Sequence, residues 1–154
     1  MLHRDVRGGF MEYHNNKNFK ASTGQEIQFC QDNITYSKKG VLRGLHIQTK
    51  LPQAKIITVT NGKIMDVAVD LRKNSKTFGK YFSIVLSEKE NKSLLIPAGF
   101  AHGFYTLADN TILHYKCSKY RHAKSEIGIL WNDRDLKIKW PIKKLIISKK
   151  NKKK

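Results

Sequence analysis

The sequence predicts an all-β fold, a sandwich or barrel of short strands, on three observations. Short runs of β-branched and aromatic residues fill the middle of the chain, turn-forming residues separate them, and helical periodicity is almost absent. A length of 154 residues with 40% hydrophobic composition is enough for one core without disulfide or metal support. One domain is therefore expected over residues 1–146, followed by a lysine-rich, disordered tail over 147–154.

Taken in chain order, Asn15 to Ala21 is expected to form a short helix. Arg43-Gly-Leu-His46 follows Val41 and Leu42 and runs into Ile47 and Gln48, all strand-like. Lys55 to Thr60 and Lys63 to Leu71 flank Asn61-Gly62, a dipeptide that favours the positive backbone angles of a tight turn, so this pair is read as a hairpin. Further strands are expected at Tyr81 to Leu86, Ser93 to Ile96, Gly103 to Leu107, Thr111 to Lys116 and Ile127 to Trp131. Ser87 to Glu90 has the spacing of a capping box and should open one helical turn. Pro97 and Pro141 fit strand ends, because proline cannot donate to a sheet ladder.

Charge and cysteine usage exclude several function classes. The formal charge is +18, but nine lysines and no acidic residue lie between Lys137 and Lys154. That distribution describes a solvated basic end, with nonspecific attraction to polyanions at low salt, and no specific nucleic-acid partner is expected. Cys30 and Cys117 stand far apart, which suits a reducing cytoplasm. Neither a signal pattern nor an apolar run of membrane-spanning length occurs, so no membrane partner is expected. The histidines, at 3, 14, 46, 102, 114 and 122, form no close pair beside a carboxylate, so no metal site is expected. Phosphate-binding glycine loops and the Gly-x-Ser-x-Gly elbow are also missing. Chemistry must then rest on ordinary acid–base groups.

Polar residues set in strand-like sequence are the candidates. Arg43 and His46 project to the same or opposite faces of their strand depending on whether Gly44 forms a bulge. His102 lies in Gly99-Phe-Ala-His-Gly-Phe104, where glycines leave room for close approach. Lys55, Tyr115 and Lys116 sit in apolar runs. Each alone has an ordinary structural explanation.

Their order along the chain is more informative. Arg7-Gly8, Phe10, Glu12, Gln31-Asp-Asn33, Val41 to His46, Asp66 to Asp70, Ser75, Thr77-Phe-Gly79, Ile96-Pro97, Gly99 to Phe104, Tyr115-Lys116, Trp131-Asn-Asp133 and Trp140-Pro141 occur in sequence. This series resembles the dTDP-4-dehydrorhamnose 3,5-epimerase family over Arg4 to Lys150. The resemblance implies a cupin-like jelly-roll barrel and epimerisation at C3 and C5 of dTDP-4-dehydro-6-deoxy-D-glucose, next to its 4-keto group, without a cofactor. It implies His46 as the base, whose reference pKa near 6.5 suits neutral pH. Tyr115 is implied as the acid on the opposite ring face and Lys55 as the cation at the enolate oxygen, with Arg43 and His102 binding ligand. Arg7, Phe10, Glu12, Gln31, Asn33 and Glu126 are implied in nucleotide binding. A homodimer is implied, in which the N-terminal segment of one subunit reaches the other's site.

Two departures from the family pattern stand out. The family usually carries an additional strand ahead of the Arg7-Gly8 segment. It also orients its histidine base with an Asp where this chain has Asn151, so Asp66 or Asp70 on a neighbouring strand is the candidate replacement. Two related readings stay open at this stage: an enzyme that inverts only C3 or C5, and a weakly catalytic cupin that binds a sugar nucleotide.

Overall fold

The computed structural model describes residues 2–148. Eleven strands and one α-helix are present among them. They are β1 (Leu2–Asp5), β2 (Gly8–Met11), α1 (Asn16–Thr23), β3 (Gln31–Ser37), β4 (Leu42–Gln48), β5 (Lys55–Asn61), β6 (Lys63–Asp70), β7 (Tyr81–Ser87), β8 (Ser93–Ile96), β9 (Phe100–Thr106), β10 (Thr111–Cys117) and β11 (Glu126–Gly128). β1 and β2 form a separate two-stranded hairpin, and the rest make two antiparallel sheets, β3-β10-β5-β8 and β11-β4-β9-β6-β7. The all-β expectation holds.

The core lies between these sheets. Ile57, Val59, Leu113 and Ile96 from the four-stranded sheet meet Ile64, Ala68, Leu86 and Phe104 from the five-stranded sheet. Each large aliphatic side chain buried there stabilises the fold by roughly 1.5–3 kcal/mol. The five-stranded sheet is covered on its other face too. Leu45, Met65, Val67, Val69 and Ala101 pack there under Ile129, Leu136, Ile138 and Trp140. Burial on both faces explains why β6 reads as a near-continuous apolar run instead of an alternating one.

The expected hairpin at Asn61-Gly62 is corrected. The turn exists, with Gly62 at φ +85°, but β5 pairs with β10 and β8 while β6 pairs with β7 and β9. The chain turns a corner from one sheet to the other, so Ile57 and Ile64 face each other across the core. A Cβ on Gly62 would lie 2.9 Å from Thr111 Cα, so the corner requires glycine for space as well as for φ.

Helix α1 begins where Asn15 caps it, its side chain accepting from the N–H of Lys17 at 2.9 Å and of Asn18 at 3.2 Å. Ser87 to Glu90 closes a hydrogen-bonded turn, not a helical one. β9 starts earlier than expected, at Phe100. β11 stops at Gly128 because the chain then leaves the sheet to lay Ile129 to Trp140 over the second core. β1, β2 and β3 were not anticipated.

At the end of β6, Asp70 ties down the loop that leads to β7. Its buried carboxylate accepts from the backbone N–H, Nε and Nη2 of Arg72 and from the hydroxyls of Ser75 and Thr77. Arg72 in turn lies 4.7 Å from the ring centre of Phe100. The Arg72 guanidinium, aided by the Ser75 and Thr77 hydroxyls against the cost of burial, holds the Asp70 carboxyl far below the usual carboxylate range. A depressed folded-state pKa stabilises fully above the unfolded value, near 3.9, and is lost only as pH falls from there toward the folded value. Asp70→Asn should therefore cost about 2–3 kcal/mol at neutral pH. Urea unfolding at pH 7 and pH 3 checks this: the gap to wild type should narrow only in acid, and a gap already absent at pH 6 would contradict it.

Candidate active site

The site occupies the end of the inter-sheet space that the apolar core leaves open. Two adjoining chambers, of about 570 and 120 Å3, share the side chains of His46, Lys55, Tyr115, Arg121 and Glu126. Arg43, His102 and Thr35 belong to the larger chamber, and Gln31, Asn33, Gln48 and Cys117 to the smaller.

On the five-stranded wall, the question left open by the sequence is settled by a bulge. Arg43 pairs with Phe104 and His46 with His102, so Gly44 and Leu45 together oppose the single residue Gly103. Without the extra residue, positions three apart would face opposite ways; with it, Arg43 and His46 both reach the cavity while Leu45 turns into the outer core. Glycine is needed on both strands. A Cβ on Gly44, at φ +110°, would sit 2.5 Å from Gly103 Cα, and one on Gly103 would sit 2.7 Å from Arg43 O.

His102 is held by Asp66. Both are buried, and His102 Nε2 lies 2.9 and 3.1 Å from the two carboxylate oxygens. A carboxylate accepts, so the proton of this imidazole is placed on Nε2. Asp66, read from sequence as a candidate for orienting His46, orients the imidazole of His102. Asn151, another candidate for that role, lies outside the described residues.

The four-stranded wall carries the opposing groups. Tyr115 and Cys117 on β10 pair in register with Asn33 and Gln31 on β3, and Cys117 pairs with Lys55 at the start of β5. Gln31 donates to Asn33 Oδ1 at 2.9 Å, and Asn33 donates to Cys117 Sγ at 3.6 Å. Burial pushes the Lys55 ammonium below the ordinary lysine range, with the charges of Cys117, Asp66 and Glu126 opposing. Burial also raises the Tyr115 phenol, reinforced by Cys117 and opposed by Arg43 and Arg121. Cys117 is raised by burial, which Lys55 counteracts. Each shift favours the neutral form, as expected of ionisable groups taken out of water.

Two features mark the cavity as built for a polar, anionic ligand. Arg43 donates to uncharged oxygens, Ser37 Oγ at 3.2 Å and Tyr36 O at 3.3 Å, so these bonds leave its charge unneutralised. Thr35 Oγ1 is buried with no hydrogen-bond partner among the described residues, a costly arrangement that an incoming acceptor or donor would relieve. Among the described residues no group of three His, Cys, Asp or Glu side chains could hold a metal ion.

Of the residues singled out by sequence, His46, Tyr115, Lys55, Arg43, His102, Gln31, Asn33 and Glu126 line this one cavity. Arg7, Phe10 and Glu12 do not. Arg7 pairs with Asp5 in the β1–β2 turn, Phe10 is 72% exposed, and Glu12 accepts from Asn15 and Asn18 at the start of α1. Ile147 and Ser148, assigned to the tail by sequence, line the larger chamber. Sequence reasoning missed Thr35, Cys117 and Arg121. The first two follow from strand period, two residues beyond Asn33 and Tyr115; Arg121 lies in a loop and carried no such signal.

Comparison with known proteins agrees with this geometry. The sequence profile described as dTDP-4-dehydrorhamnose 3,5-epimerase matches residues 1–154. A dTDP-4-dehydrorhamnose 3,5-epimerase of Methanothermobacter thermautotrophicus is 46% identical over 153 residues, spanning 97% of this chain and 82% of that protein. The crystal structure of dTDP-6-deoxy-D-glucose-3,5-epimerase from Legionella pneumophila in complex with dTDP-4-keto-L-rhamnose superposes with a TM-score of 0.94 at 42% identity, covering 99% of this chain and 81% of that one. The dTDP-4-dehydrorhamnose 3,5-epimerase of Bacillus anthracis, with TDP and PPi bound, gives 0.94 at 44% identity, with 99% and 87% covered. The chain belongs to the dTDP-4-dehydrorhamnose 3,5-epimerase family.

Proposed function

We propose that this protein epimerises dTDP-4-dehydro-6-deoxy-D-glucose at C3 and C5 to dTDP-4-dehydro-L-rhamnose. The observation that carries the reading is that His46 and Tyr115 line one cavity from opposite sheets. A carbon next to the C4 ketone loses its proton to a His46 ring nitrogen, and the C–H electron pair moves into the carbonyl to form an enolate. Lys55 donates to the developing oxyanion, in a site where burial strengthens that interaction. The Tyr115 O–H then protonates the carbon from the other face; solvent returns a proton to the phenolate and takes one from the imidazolium. Repetition at the second carbon completes the reaction.

Arg43 suits the diphosphate, because a guanidinium matches phosphate oxygens bidentately. Arg7, Phe10 and Glu12 fit a homodimer in which the β1–β2 hairpin serves the partner's nucleotide site, and the exposure of Phe10 and of Val6 at the hairpin tip supports this. The free thiols of Cys30 and Cys117 suit a cytoplasmic setting.

In D2O the wild-type protein should incorporate deuterium at C3 and C5, read by NMR. His46→Ala should slow this by about 10²–10⁴-fold, the usual weight of a general base. Tyr115→Phe should retain exchange and lose inversion. Wild-type exchange in His46→Ala would sink the mechanism.

Because the Lys55 ammonium is destabilised by burial, it deprotonates at lower pH than a free lysine, whose value is near 10.4. Turnover that needs the ammonium falls as pH rises through that lowered value, while the raised Tyr115 stays protonated. The alkaline limb of kcat should therefore lie below the free-lysine value and disappear in Lys55→Arg. An unchanged limb in that variant would assign it elsewhere.

Sedimentation should give a dimer, and Phe10→Ala should raise KM for the nucleotide sugar. A monomer with full activity would exclude the shared site.

A further inference from the structure

We infer that Lys38, Lys39, Lys143 and Lys144, exposed at one end of the cavity mouth, form an electrostatic collector that speeds the capture of an anionic nucleotide sugar. The inference rests on the proposed reaction for the identity of that ligand.

Positive charge is in excess throughout this chain, and little of it is paired. Among the described residues, Lys20 and Lys116 are the only lysines in an ion pair. What suggests a role is where the unpaired charges gather. Lys38 and Lys39 lie in the turn between β3 and β4, and Lys143 and Lys144 lie on the segment that returns beside it. Backbone bonds hold the two stretches together: Leu42 N–H donates to Ile146 O at 2.9 Å, and Ile146 N–H donates to Gly40 O at 2.8 Å. A Cβ on Gly40, at φ +84°, would sit 2.8 Å from Lys144 O, so glycine lets the stretches touch. Tyr105 Oη donates to the same carbonyl at 2.8 Å. All four lysine side chains are exposed. Asp109, which accepts from the backbone N–H of Lys39 at 2.9 Å, offsets part of their charge. Like charges gathered this way repel one another, so packing gives no reason for them.

Their position does. Both stretches run straight into the cavity wall. Val41, Leu42 and Arg43 follow the first pair, Ile146, Ile147 and Ser148 follow the second, and all of them line the larger chamber. The charges therefore enter the wall within a few residues, on the scale of the screening length, about 8 Å at physiological ionic strength. Arg43 carries the same sign further in, its donors spent on the neutral oxygens of Ser37 and Tyr36. Past Ser148 the sequence adds Lys149, Lys150 and Lys152 to Lys154. A cleft bordered by one sign of charge and walled by low-dielectric protein focuses the field, and raises on-rates for the opposite charge by about 10- to 10³-fold. The diphosphate of a nucleotide sugar supplies that opposite charge.

The test separates local charge from net charge. Stopped-flow fluorescence gives kon and koff for dTDP in wild type and in a variant carrying Lys38→Gln, Lys39→Gln, Lys143→Gln and Lys144→Gln. A control variant carries Lys73→Gln, Lys76→Gln, Lys80→Gln and Lys89→Gln, which remove as much charge beside β7, at the opposite edge of the sheet from β4 and β11. At an ionic strength of about 0.01 M, where screening reaches only beyond about 30 Å, kon should fall about 10-fold in the first variant and less than about twofold in the control. At about 1 M the three proteins should agree within about twofold, because screening then acts within about 3 Å. The off-rate should change less than kon, as expected of steering. Should the fourfold variant fail to fold, the Lys38→Gln/Lys39→Gln and Lys143→Gln/Lys144→Gln double variants serve, each with about a threefold drop. Equal losses in the rim and control variants, or an unchanged salt dependence in the rim variant, overturn the inference. So does a rim variant that loses heparin binding and keeps wild-type kon for dTDP, which would assign the lysines to a polyanion. Wild type that fails to bind dTDP overturns it as well. Wild type that binds dTDP with this salt dependence and exchanges no deuterium counts against the proposed reaction alone.

Discussion

The structure depends on the contact between Gly44 and Gly103. Only because neither residue has a Cβ can β4 press its extra residue against β9 at backbone distance. That bulge puts Arg43 and His46 on one face and sends Leu45 to the other, so a single local irregularity supplies a cavity-facing guanidinium, an imidazole and a core residue. Bulges of this kind re-aim side chains next to functional sites. His102, in register with His46 across the same contact, is locked by a buried carboxylate, Asp66, that has no other role among the described hydrogen bonds. The wall is held by backbone sterics and one buried pair.

The two halves of the inter-sheet space divide the work between stability and chemistry. Where Ile57, Ile64, Leu86 and Leu113 meet, the space is filled and dry. Where Lys55, Tyr115 and Cys117 meet His46, it is open, yet still buried enough to drive each of those four-stranded-wall groups toward its neutral form. A lysine destabilised as a cation gains most when negative charge develops beside it, so the ground state leaves unsatisfied what an enolate would satisfy. Thr35, with its hydroxyl buried and unpartnered, shows the same logic in a neutral group.

How much of this was legible in the sequence follows from where polarity lies. Strands β5 to β10 are apolar inside and were read with bounds mostly within a few residues. β3 was missed because its pattern is inverted: Gln31, Asn33 and Thr35 point into the cavity while Ile34 and Tyr36 are exposed. A strand whose inside is an active site looks like a loop to a rule that expects hydrophobic interiors. Asn61-Gly62 predicted its turn but not its partners, because turn chemistry is local and sheet membership is decided by burial on distant faces. The pairing of Asp66 with His102 was not legible, since spacing along β6 says nothing about which imidazole on the next strands lies opposite. Arg121 was invisible for a different reason: loop residues have no period, and its fixed position comes only from Gln31 and Glu126 converging on it, while Gln48 holds the next residue, His122.

Inversion at carbon imposes a requirement that a single surface cannot meet. An enolate is flat, and a group that removes a proton from one side will return it to the same side unless another donor waits opposite. Two packed sheets meet that requirement by construction. Strand β4 presents its imidazole from one wall and β10 its phenol from the other, with Lys55 beside the phenol on the four-stranded wall. The separation of the walls is set by the apolar core at the far end, so the spacing between imidazole and phenol is a property of sheet packing and not of the loops.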